Sequence, residues 1–221
     1  MDRRRFLAAT GTTAFLALAG CRDDDSAGTT SVTSPGNGTS PAGSTTPGTT
    51  TTEPPEDGLT NGSFEAGLDG WQVGTDLPTD PNTGDPVATD ATVERGGAGG
   101  RPAASDGDRL LALFIDGLQD DGTIWVQQQV DLRPFDTLAV DVHSEMESAN
   151  TVTKVAAYAG ALPDTPLVET AVDTSRPADA HEGWGTFEYD TSPEPQGLVA
   201  VGISVVWETE VTKFLDRVRL R

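Results

Sequence analysis

From residue 58 to residue 221 the chain repeats one pattern. Short runs of β-branched, aromatic and aliphatic residues are each closed by Gly, Pro, Asp or Asn, with no convincing long helix. The runs are 109–115 (RLLALFI), 123–130 (TIWVQQQV), 137–143 (TLAVDVH), 152–159 (TVTKVAAY), 185–189 (GTFEY), 198–207 (LVAVGISVVW) and 214–220 (FLDRVRL). Many strands separated by turn signals predict an all-β sandwich or barrel. This stretch is long enough for one good core.

The residues before it read differently. Met1–Asp2–Arg3–Arg4–Arg5 is basic, and residues 6–20 are apolar and uncharged. That stretch is too short for the roughly 20 residues that span a bilayer as a helix. A basic start, a short apolar run and small residues before a cut site describe a signal peptide over 1–20. RRRFL resembles the twin-arginine export signal, which carries folded proteins. Leu18–Ala19–Gly20–Cys21 resembles a lipobox, which predicts lipidation of Cys21 and a membrane anchor. Cys21 is the only cysteine, so no internal disulfide can form. Residues 21–57, from the lipidated cysteine onward, are dominated by Thr, Ser, Gly and Pro. They cannot bury an apolar face and predict a disordered linker. Asn37–Gly38–Thr39 is a glycosylation sequon within it. The expectation is a protein on the outer face of the cytoplasmic membrane.

The net charge is −21, from 35 Asp and Glu against 14 Lys and Arg, and only Lys154 and Lys213 are lysines. An acidic, lysine-poor chain resembles the proteins of salt-loving archaea, where molar salt screens crowded carboxylates over about 3 Å. The charge also argues against nucleic acid as a partner, since phosphate backbones call for clustered Lys and Arg.

Two motifs bracket the β region. Leu59–Thr60–Asn61–Gly62–Ser63–Phe64–Glu65 with Gly70–Trp71 opens it, and Phe214–Leu215–Asp216–Arg217–Val218–Arg219–Leu220 closes it. Together they resemble the carbohydrate-binding modules of families 4, 9 and 22 and their galactose-binding-like relatives. The resemblance implies a jelly-roll β-sandwich that begins with the Asn-Gly-x-Phe-Glu segment as a strand and has its first and last strands close together. It also implies a structural calcium ion held by Glu65, the Ser63 carbonyl and Asp216. Calcium takes six to eight oxygens, so a middle loop would add Asp106 or Asp108.

Alternation along the strands suggests a ligand face. Ile124, Val126, Gln128 and Val130 share one side of their strand, and Trp125, Gln127 and Gln129 share the other. Asp141, His143 and Glu145 lie opposite Leu138, Val140 and Val142, and the 152–159 strand adds Lys154 and Tyr158. If these strands are neighbours, Trp125 and Tyr158 offer stacking surfaces while the amides and Asp141 and His143 bond hydroxyls. Trp71, Trp184 and Trp207 read as core. No nucleophile elbow, His-Glu-x-x-His, cysteine pair or phosphate loop occurs. The function expected is a noncatalytic polysaccharide-binding lipoprotein. The alternatives are an adhesion lipoprotein that binds an envelope protein, and a small glycan hydrolase or lyase.

Overall fold

The computed structural model describes residues 58–116, 121–145, 152–206 and 210–221. The expectations for the signal peptide, Cys21, Asn37, the linker and Trp207 lie outside them. Ten strands follow in order: β1 (Gln72–Asp76), β2 (Thr89–Arg95), β3 (Arg109–Ile115), β4 (Gly122–Val130), β5 (Thr137–Glu145), β6 (Val152–Ala161), β7 (Asp173–Pro177), β8 (Glu182–Asp190), β9 (Gly197–Val206) and β10 (Val211–Leu220). They form two five-stranded sheets, β1-β4-β9-β6-β7 and β2-β3-β10-β5-β8. Strand pairing is antiparallel throughout. The fold is the all-β sandwich expected from the sequence.

The inner faces make the core. Ile124, Val126, Val199, Val201, Ile203 and Val155 come from the first sheet, and Leu111, Leu113, Val140, Val142, Leu215 and Val218 from the second, all buried in one cluster. A fully buried aliphatic side chain of this size contributes about 1.5–3 kcal/mol. Lys213 also lies buried, with its ammonium 2.9 Å from Asp179.

The sequence pattern does not mark β1, β2 and β7. Each is an edge strand with mostly exposed or half-buried residues. With one neighbour and little buried surface, such strands lack the apolar run that marks a central one.

The opening motif is also not a strand. Residues 59–70 run through successive turns, with Asn61 and Phe64 both at φ 57°. Asn61 organises them: its side-chain amide donates to the Gly67 carbonyl (2.8 Å) and its side-chain oxygen accepts from the Ala66 N–H (3.0 Å). Its backbone carbonyl accepts from the Trp71 indole (3.0 Å), and Trp71 is buried beside Phe64, as expected of a core tryptophan. The closeness to the last strand holds, because the Val218 N–H donates to the Gly62 carbonyl (2.8 Å). A Cβ on Gly62 would sit 2.1 Å from the Val218 carbonyl oxygen, so only glycine permits this approach.

On the other side, buried Gln128 completes the tie. Its amide donates to the Thr60 carbonyl (3.0 Å) and its oxygen accepts from the Thr60 N–H (2.9 Å), as a neighbouring strand would. Gln128→Ala is expected to cost about 1–2 kcal/mol, read as a lower urea midpoint at unchanged slope.

Candidate ligand-binding faces

The single ligand face does not form, because β4 and β5 belong to different sheets. Trp125, Gln127, Gln129, Lys154 and Tyr158 point outward from the first sheet. Asp141, His143 and Glu145 point outward from the second. The two sets lie on opposite sides of the sandwich.

On the first sheet, Trp125 has the expected side but not the expected exposure. It is only 2% exposed, packed with Ala156, Ala200, Leu198, Leu167 and Val172. Leu167 and Val172 come from the β6–β7 connection, which folds over the sheet. Glu169 pins that connection: its N–H donates to Asp76 (2.8 Å) and its carboxylate accepts from the Ser204 hydroxyl (2.8 Å). The indole lies against Gly74, where a Cβ would come within 2.4 Å of the ring nitrogen. Trp125 therefore cannot stack on a sugar. Tyr158 packs against the same cluster and donates its hydroxyl to the Ala161 carbonyl (2.7 Å). That bond and packing hold its ring to the protein.

What stays open is a groove beside this cover, about 330 Å³ in volume, lined by Gly70, Gln72, Gln127, Gln128, Gln129, Leu162 and Leu198. Gln72 and Gln127 are directly opposite across β1 and β4. The Trp125 indole N–H donates to the Gln127 side-chain oxygen (2.7 Å). This fixes which way the Gln127 amide faces and leaves its two N–H donors for a ligand. Leu162, 39% exposed, adds an apolar wall.

On the second sheet, Asp141 is buried and committed. Ser105 and Thr186 hydroxyls and the Arg219 guanidinium all bond its carboxylate. Burial pushes its pKa up, but those donors outweigh it and hold the group below the ordinary range. Asp141 therefore ties strands together and does not face a ligand. His143 lies half-buried between Trp184 (ring centres 5.3 Å apart) and Phe214 (6.5 Å). Burial lowers its pKa, helped by nearby His181 and Lys213 and opposed by Glu145, so it is neutral near pH 7. Trp184, read as core, instead stands half-buried on this outer face and donates its indole N–H to the Ala103 carbonyl (2.8 Å).

Glu65 and Asp216, expected to hold calcium, meet the 105–109 turn. The Asp108 and Arg109 N–H groups donate to Glu65 (2.7 and 2.8 Å). Those of Asp106 and Arg217 donate to Asp216 (2.8 and 2.7 Å). Asp106 and Asp108 thus reach the junction through backbone N–H groups, where oxygen donors were expected. Among the described residues no three metal-ligating side chains come together. This donor set does not fit the expected cage, and hydrogen bonds join the opening motif, the turn and the last strand.

No family model matches the chain, and no curated protein matches it significantly. Solved structures are similar in backbone. A family 61 carbohydrate-binding module in complex with β-1,4-galactotriose is 15% identical over 75% of this chain and 97% of its own, with a TM-score of 0.36. The family 11 module of Clostridium thermocellum in complex with a mixed-linked tetrasaccharide is 12% identical over 72% and 91%, at 0.41. A cleaved adhesin domain of Lys-gingipain from Porphyromonas gingivalis is 17% identical over 72% and 95%, at 0.44. What these structures share with the chain is a β-sandwich architecture.

Proposed function

We propose that this is a noncatalytic glycan-binding module, held at the outer face of the cytoplasmic membrane by a lipid on Cys21 and carried on the 21–57 linker. The observation that carries the reading is the glutamine groove. Gln72 and Gln129 bring amides that both donate and accept, and Gln127 adds its two N–H donors, in one cleft beside apolar Leu162. Sugar hydroxyls need both kinds of partner, and the carbon-bound face of a pyranose needs an apolar wall. The amides carry no charge, so the ligand is a neutral oligosaccharide.

The test titrates the full chain with a panel of neutral oligosaccharides by calorimetry. Binding to one class is expected, with Gln127→Ala weakening it roughly tenfold. Trp125→Phe keeps the ring buried but removes the indole N–H. It is expected to weaken binding several-fold, with a smaller loss of stability than removal of the whole ring. Folded protein that ignores every neutral glycan overturns the reading, as does binding untouched by Gln127→Ala. Export and anchoring are tested by Cys21→Ser, which is expected to move the protein from the membrane fraction to the medium.

A further inference from the structure

The outer face of the second sheet carries an arrangement that the glutamine groove does not use. In β-sheet register, Thr92, Ala112, Phe214, His143 and Trp184 form one row across all five strands. Phe214, His143 and Trp184 touch ring to ring, so the row is a continuous aromatic ridge over β10, β5 and β8. Two residues along the strands lies a second row. Asp90, Phe114 and Thr212 pair across β2, β3 and β10, and Glu145 faces Glu182 across β5 and β8. The rows are thus about 7 Å apart. Where they meet on β2, β3 and β10, a groove of about 400 Å³ opens, floored by Ala112, Phe114 and Phe214 and walled by Asp90, Thr92, Glu94 and Arg101. Arg101 is spoken for by Glu94, with its guanidinium 2.8 Å from that carboxylate. Asp90, Glu145 and Glu182 are exposed and lie along the edge of the aromatic row.

A ring surface beside a line of carboxylates calls for a ligand with a flat apolar face and positive charge. Strands lie about 4.8 Å apart, close to the repeat of an extended β-linked pyranose chain, so one sugar can sit over each strand. We infer that this face is a second glycan site, on the opposite side of the sandwich from the glutamine groove, for an amino-sugar polymer whose amines are unacetylated and therefore cationic. The sugar rings lie along Phe214, His143 and Trp184, and the ammonium groups meet Asp90, Glu145 and Glu182. The inference extends the glycan-binding reading, and with both sites filled the module would bridge a neutral and a cationic chain.

The experiment titrates the full chain with a β-1,4-linked glucosamine hexamer and with its fully N-acetylated counterpart. The unacetylated hexamer is expected to bind and the acetylated one to bind at least tenfold more weakly. Asp90→Asn with Glu145→Gln, both at exposed carboxylates that leave folding intact, is expected to weaken hexamer binding about tenfold. Gln127→Ala is expected to leave it unchanged. Equal binding of the two hexamers, or no effect of the carboxylate pair, overturns the second site. Loss of hexamer binding on Gln127→Ala also overturns it, by placing the hexamer in the glutamine groove. None of these results alters the neutral-glycan titration, so the second site can fall while the first stands.

Discussion

Trp125→Ala is expected to lower the stability of the domain by about 3–5 kcal/mol, the range for removing a fully buried tryptophan. A domain of this kind has only about 5–15 kcal/mol in total. The indole is 2% exposed and fills the space between the sheet and the β6–β7 connection. Its loss leaves Leu167 and Val172 above a cavity floored by Ala156 and Ala200. The small residues on that floor cannot move up to fill it. A second loss follows, since Gln127 no longer receives the indole N–H. Urea unfolding should show a markedly lower midpoint. A variant as stable as the parent, with only glycan binding lost, would mean that the 162–172 connection does not cover this face.

The second large effect is a pH dependence carried by Asp216. The side chain is fully buried, and burial raises its pKa from 3.8 to about 6. The N–H groups of Asp106 and Arg217 pull it down, and the Asp106 charge adds to the rise. Below about pH 4 the group is protonated both folded and unfolded, and contributes no pH dependence. Between about pH 4 and 6 the unfolded chain releases the proton while the folded chain keeps it. The unfolded state then binds fewer protons, so stability falls as pH rises. The shift corresponds to about 3 kcal/mol across that window, after which the loss levels off. Asp141 acts in the opposite sense at lower pH: its depressed pKa gives stability that is lost as pH falls below about 4.

Asp216→Asn should abolish the fall between pH 4 and 6. At pH 4, where the folded parent already carries a neutral acid, it should cost no more than about one hydrogen bond, because neither the acid nor the amide serves both N–H groups as the carboxylate does. Chemical unfolding at several pH values reads both effects. Repeating the series with millimolar calcium tests the junction directly. An ion bound at Asp216 would favour the charged carboxylate and cancel the fall. An unchanged profile is expected from a junction made by N–H donors.

The sequence carried the central strands because they are apolar runs with clear ends. β9 is buried along nearly its whole length, and its pattern Val199, Val201, Ile203, Val205 reads directly as one core face. The side to which Trp125 points was legible from alternation, and its burial was not. That burial comes from Leu167 and Val172, set among Pro, Asp and Thr in a segment that reads as an ordinary loop. The division of the ligand face into two was equally hidden, since strand order is not written in local pattern. Phe114 is hidden for another reason. In β3 both faces are apolar, with Leu111, Leu113 and Ile115 inward and Leu110, Ala112 and Phe114 outward, so alternation gives no sign of a ridge. The resemblance implies the closeness of the opening motif to the last strand, while its turns depart from the strand expected. The left-handed backbone at Asn61 and Phe64 is the local reason that it turns.

The turn-rich opening segment has a mechanical meaning. Within three residues it is bonded to both sheets: Thr60 to Gln128 in β4, and Gly62 to Val218 in β10. A pull arriving from the N-terminal side at residue 58 is therefore divided between the two layers at their shared end. Neither sheet has to be peeled strand by strand, because the load first has to break the clasp that holds them together.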